Sequence, residues 1–174
     1  MHQSSHHQAF TVPPTCLKDR HGLLLDTGAI VNLHSDFWRR RYQPTITKMG
    51  LKSLEKRKLA SFSGIGGKTT ISQKQCKIPI CVDGQKGSFT SQELKNSEIP
   101  AIVGLNGIEA QQMMLIPHDE KVIIPNGGKV RISVSKEVKI VKCIRTPSGH
   151  LLLPCDEWTK KSTNTRSLTL LAGE

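Results

Sequence analysis

Aromatic residues are scarce in this chain of 174 residues: four Phe, two Trp and one Tyr make up 4% of it. A core must therefore come from Ile, Val and Leu, which favours strands over an aromatic stacking surface. No run reaches the ~18 apolar residues that a membrane helix needs, so no spanning segment is expected. The opening MHQSSHHQ has no apolar core of the kind a signal peptide carries. The five cysteines, Cys16, Cys76, Cys81, Cys143 and Cys155, are odd in number and form no CxxC pair. That argues against a disulfide framework or a zinc knuckle, and for free thiols in a reducing, cytoplasmic compartment. No metal and no cofactor is expected; His2, His6 and His7 read as part of a polar terminus.

Acidic residues are also few. Against 14 Asp and Glu stand 25 Lys and Arg, a formal charge of +11. Such a balance favours polyanions, nucleic acid included. The cations are scattered, however, and dense only at Arg39 to Arg41 and Lys56 to Lys58. A solvated face is the first reading, and nucleic-acid contact between Arg39 and Lys58 the second.

Residues 1–14 end in Pro13-Pro14 and read as a flexible lead. Leu17 to Asp26 and Ala29 to Leu33 are apolar enough for strands, with Thr27-Gly28 as a tight turn between them. Ser35 to Leu59 is basic and Leu-rich, broken by Pro44 and Gly50. It predicts two short helices, with Ser35 as an N-cap. Short strands follow at roughly 59–63, 68–73, 76–82 and 86–92. "GIGG" at 64–67 and Asp83-Gly84 are the expected hairpin tips. "EIPAIVGL" is an apolar run ending in Gly104, and "NGIEAQQMML" a short helix with Ile108, Met113 and Leu115 toward the core. "KVIIP" predicts a strand. "GGKVRISVSKEVKIVKCI" alternates as a half-buried hairpin would, and "PSGHLLLPCDEW" predicts a turn and strand. Leu24, Val31 and Ile102 are expected in the core. The domain boundaries follow: one domain at 15–125 with a basic helical insertion at about 35–59, a β-rich extension at 126–158, and a disordered tail at 159–174. The class is mainly β, with one or two short helices and the many hairpins of a small barrel.

Within "LLLDTGAIVNL", an aspartate ends an apolar strand. Burial disfavours its charge, so Asp26 is either a surface turn residue or a catalytic group. The triplet Asp26-Thr27-Gly28 alone is weak. Its setting is stronger: a Gly-rich hairpin tip begins 38 positions later, and Ile102-Val103-Gly104 ends 78 positions later and opens a helix.

That ordered set resembles the retropepsin family of aspartic proteases, which includes retroviral and retrotransposon proteases and the DNA-damage-inducible retropepsin-like proteins. "LLLDTGA" looks like their catalytic turn, "FSGIGGKTTI" like their flap, and "IPAIVGLNGI" like the strand beneath the turn and the helix after it. The resemblance covers roughly Cys16 to Pro125 and implies a small closed β-barrel. It also implies a homodimer that hydrolyses extended peptide or polyprotein substrates. Asp26 would be catalytic and Thr27 would bond across the dimer axis. Gly28 would bring its N–H to the carboxylate, and Ala29 would lie beside the substrate. Gly64, Ile65, Gly66 and Gly67 would close over it, with Ile102, Val103 and Gly104 as support.

The chemistry agrees with that partnership. Without a metal, peptide hydrolysis needs a base for water and an acid for the leaving nitrogen. Two close carboxyl groups sharing a proton provide both. The chain has one such triplet; Asp119 and Asp156 sit in unlike surroundings. The second carboxylate must come from another copy. Three departures from the viral pattern stand out: the long basic segment at Ser35 to Leu59, Leu105-Asn106 where many viral enzymes have an Arg, and the long stretch after Pro125. Strands between Val122 and Ile144 are expected to take over part of the dimer interface. A retropepsin-fold dimer that binds peptides without cutting them is the alternative.

Overall fold

A computed structural model describes residues 21–63, 69–135, 138 and 140–154. The chain divides into two units, which meet between Ile124 and Pro125. The expected N-terminal lead, the flap tip at Gly64, Ile65, Gly66 and Gly67, and the tail at 159–174 lie outside the described residues.

The first unit is built on six strands: β1 (Leu23–Leu25), β2 (Leu33–Ser35), β3 (Leu54–Ser63), β4 (Thr69–Val82), β5 (Gln85–Leu94) and β6 (Ala101–Val103). They form one sheet in the order β1-β6-β2-β5-β4-β3. Two helices, α1 (Asp36–Lys48) and α2 (Leu105–Ala110), accompany them. A small hairpin of β7 (Met114–Ile116) and β8 (Lys121–Ile123) follows. Met113 and Leu115 thus lie outside the short helix; both still pack against the core.

The expected closed barrel is not found. Among the described residues β1 pairs only with β6 and β3 only with β4, so the sheet keeps two edges. The strands at its β1 end are three residues long. Such short ladders cannot carry the tilt and stagger that closure requires.

The segment expected to hold two helices holds one helix and a strand. Ser35 caps α1 as anticipated: its Oγ accepts from Trp38 N at 3.0 Å and donates to the Ile99 carbonyl at 2.6 Å. The helix runs through Pro44 because Trp38 and Ile46, buried on either side of it, anchor both halves. It stops at Gly50, whose φ of 70° closes the end. The amides of Gly50 and Leu51 turn back to the carbonyls of Thr47 and Ile46. Beyond that, LEKRKL is extended. It pairs with β4 from Leu54↔Lys77 to Ser63↔Thr69, with an irregularity between Arg57 and Ala60. Tertiary pairing overrides the helical preference of its Lys, Glu and Leu.

β4 is continuous where a break near residue 74 was expected. Its turn to β5 falls at Asp83 and Gly84 as anticipated. Both have positive φ, 47° and 76°, the combination that matches a hairpin's twist.

The core also departs from expectation. Trp38 lies at its centre, packed edge-on to Phe89 and tilted against Tyr42, with ring centroids 6.4 and 5.1 Å away. Cys76, Ile78, Ala101, Val103 and Ile108 complete it. The scarce aromatics are the most useful core residues because each covers the most area. Leu24, expected inside, is 38% exposed, and Val31 and Ile102 are half-buried.

In the second unit the alternating stretch after Pro125 forms no strand among the described residues before β9 (Ile144–Arg145), which pairs with β10 (Leu151–Leu152). Ile132 and Ile140 stay 71% and 76% exposed. Alternation builds a hairpin only where a face is there to be buried, and the described residues of this stretch stay exposed. No described helix is long and apolar enough to cross a membrane.

Candidate active site

β1 ends at Leu25, and Asp26 begins a turn that returns to the sheet at Leu33. β6 runs between the two limbs. It pairs in parallel with β1 (Leu23↔Ala101, Leu24↔Ile102, Leu25↔Val103) and antiparallel with β2 (Leu33↔Ile102). Asp26 N donates to the Val103 carbonyl at 3.0 Å, which hangs the turn on β6.

The half-buried Asp26 carboxylate folds over its own turn: Oδ1 accepts from Gly28 N at 2.8 Å. A Cβ on residue 28 would stand 3.1 Å from that oxygen, so glycine permits the approach. Thr27 is exposed at the tip. The carbonyls of Ala29 and Ile30 accept from Leu105 N and Asn106 N at 2.7 and 3.0 Å. These are amides at the start of α2, which lack partners within the helix.

Gly104 is fixed by crowding. A Cβ there would lie 2.5 Å from the Val31 carbonyl oxygen and 2.8 Å from that of Ala29, both backbone atoms. Gly104→Ala should therefore push β6 away from the turn and cost about 1–3 kcal/mol. A urea midpoint unchanged from wild type would show that the close approach is absent.

Asn32 was not anticipated, though a lone amide in the apolar run AIVNL is the visible signal. Its Oδ1 accepts from Gly104 N and its Nδ2 donates to the Thr90 carbonyl, both at 3.0 Å. Its own carbonyl accepts from Gln92 N at 3.1 Å. One side chain thus ties the turn, β6 and β5 together.

Behind the turn lies a second unanticipated feature, a buried charge cluster around Glu93 on β5. Arg39 Nε donates to Glu93 Oε2, and Lys74 Nζ stands 3.0 Å from Oε1. Both cations also reach Glu55, at 2.7 and 3.0 Å. Burial would raise the Glu93 carboxyl, but Lys74 and Arg39 together outweigh it and hold it below the usual range. His34 Nδ1 lies 2.8 Å from Ser91 Oγ, and its Nε2 lies 3.4 Å from Glu93 Oε2 without a hydrogen bond. Burial is the main cause that lowers His34 to about 4, with Arg39 and Lys74 adding to it against the pull of Glu93. Cys76 is pushed up to about 11, first by burial and then by Glu93.

Among the described residues, His34, Cys76 and Glu93 are the one trio of His, Cys, Asp or Glu side chains near enough to share an ion. Arg39 and Lys74 already supply that carboxylate with positive charge. Asp26 is not part of the trio.

No protein-family model and no curated protein matches the chain. Among solved structures, the protease of EIAV in complex with the inhibitor HBY-793 is similar over 54% of this chain and 79% of its own, at 17% identity and a TM-score of 0.36. The retroviral protease-like domain of Ddi1 from Leishmania major is similar over 59% of this chain and 76% of its own, at 14% identity and a TM-score of 0.35.

β3 and β4 meet at Ser63↔Thr69, whose hydroxyls lie 3.3 Å apart on either side of the expected flap tip. The strand proposed to support the turn, Ile102-Val103-Gly104, runs directly against Asp26 and Ala29.

Proposed function

We propose that the chain is one half of a homodimeric aspartic endopeptidase of the retropepsin type. The observation that carries this reading is the turn itself. One carboxylate accepts an amide hydrogen bond across an Asp-Thr-Gly turn, and a remote strand passing between the limbs of that turn holds it in place. Two copies facing each other across a two-fold axis would bring two Asp26 carboxyl groups together. One would take a proton from water as that water attacks the peptide carbonyl, and the other would protonate the departing nitrogen. Thr27, exposed at the tip, suits a contact across the axis. The β3–β4 hairpin suits a cover for an extended peptide, with main-chain pairing as the grip.

The natural substrate under this reading is the polyprotein of a retrotransposon-like element. The dimer surface would include the end of the first unit, where Val122, Ile123 and Ile124 are each more than a third exposed. Between Ile124 and Ile144 there is no strand among the described residues to extend that surface.

Sedimentation of the full chain and its action on a library of unstructured peptides from pH 4 to 7 test the proposal together. A dimer that cleaves is the expected result. A dimer with no cleavage would leave a peptide-binding module with the same fold, and a monomer without activity would overturn both.

A further inference from the structure

The cations were expected to be scattered and dense only at Arg39 to Arg41 and Lys56 to Lys58. The fold divides those cations into two groups. On α1, Arg39 is engaged by Glu93 and Glu55, Arg40 by Asp36 at 2.9 Å, and Arg41 lies over the Phe37 ring. Along β3 the situation is the reverse. A groove of about 380 Å³ beside this edge strand is lined by Lys56, Arg57, Lys74 and Lys95, with Glu55 as its one carboxylate. Both oxygens of Glu55 are taken, one by Arg39 and the other by Lys74. The side chains of Lys56, Arg57 and Lys95 are exposed and make no ion pair among the described residues. Around the same strand, a second groove of about 290 Å³ adds Lys77, again beside Lys56.

We propose that the β3 edge is a phosphodiester-binding surface that grips the backbone of a nucleic acid without reading its bases. Lys56, Arg57 and Lys58 follow one another, all exposed, along this edge, so it offers closely spaced positive charge to a chain of regularly spaced phosphates. Lys74, Lys77 and Lys95 add charge on its β4 side, and Glu55 is already engaged by Arg39 and Lys74. No aromatic side chain lines either groove. Bases therefore have no platform on which to stack, and affinity must come from counterion release.

The test is fluorescence anisotropy of the full chain with three labelled probes of one sequence: single-stranded RNA, single-stranded DNA and duplex DNA, each over a salt series. All three should bind, with affinity falling steeply as salt rises. Lys56→Gln/Arg57→Gln/Lys95→Gln should weaken binding about tenfold or more and reduce the single-strand salt slope by about two. The same loss of charge on α1, Arg40→Gln/Arg41→Gln/Lys48→Gln, should change affinity by less than about twofold if contact is local. Far-UV circular dichroism of both variants checks that they fold. Equal losses in the two variants would overturn the assignment to β3. So would binding confined to one of the three probes, or equal affinity for polyglutamate, which would mark an acidic-peptide surface instead.

Discussion

Asp26→Asn should abolish peptide cleavage and leave the fold as stable as before. The two halves of this prediction have separate causes. Structurally, the Asp26 side chain accepts one hydrogen bond among the described residues, from Gly28 N to Oδ1 at 2.8 Å. An amide oxygen can accept the same bond, so the turn keeps its shape and the urea midpoint should move by no more than about 0.5 kcal/mol in equivalent stability. Chemically, an amide can neither take the proton from water nor pass one to the leaving nitrogen. Losing both halves of a symmetric pair at once should lower the cleavage rate by about 10³-fold or more. Rates on one peptide, measured beside sedimentation and denaturation of both proteins, check the claim. A variant that still cleaves would end the aspartic-protease reading. A variant that unfolds would show that the carboxylate is structural.

The second large effect lies behind the turn. Glu93→Ala should destabilise the chain by about 3 kcal/mol at pH 7, because it leaves Arg39 and Lys74 facing a buried gap without their shared anion. Glu55 retains a contact with each cation, which keeps the loss toward the lower end of the range for broken buried pairs.

The same cluster sets an acid limit. His34 is lowered to about 4 in the folded chain, against about 6.5 when unfolded. As pH falls from 6.5 to 4, the unfolded state gains a proton that the native state resists, so stability drops across that window. The loss is roughly 3 kcal/mol when complete. Glu93, held below its ordinary value, removes more as pH falls further through its folded value. Urea midpoints at pH 7, 5.5 and 4.5 should fall in that order, and His34→Gln should flatten the decline. A flat wild-type profile would mean that His34 is not held neutral.

How much of this was legible in the sequence varies by element, for physical reasons. Ser35 as a cap and Asp83-Gly84 as a turn are local signals, each set by one or two residues with restricted conformations; the place of Ile102-Val103-Gly104 beside the aspartate turn came from the resemblance, since the two segments are far apart in sequence. The first half of β3 was not legible, whereas its end at 59–63 was: eight of its ten residues are exposed and none is buried, because it is an edge strand rich in charged side chains. Its strand character comes from β4. The hub around Glu93 was hidden for a different reason. His34, Arg39, Lys74, Cys76 and Glu93 look like scattered polar residues until β2, α1, β4 and β5 are brought together. The open sheet was missed because resemblance supplied a closed one.

The threading of β6 between the limbs of the turn has a consequence for a chain still being made. Leu25 waits for Val103, 78 residues downstream. At ordinary rates of synthesis that is a delay of roughly 4–16 s. Through that interval the ribosome carries an Asp-Thr-Gly triplet that has nothing to hang on, and Asn32 has no Gly104 to hold. The turn around Asp26 is completed only when nearly the whole first unit has emerged.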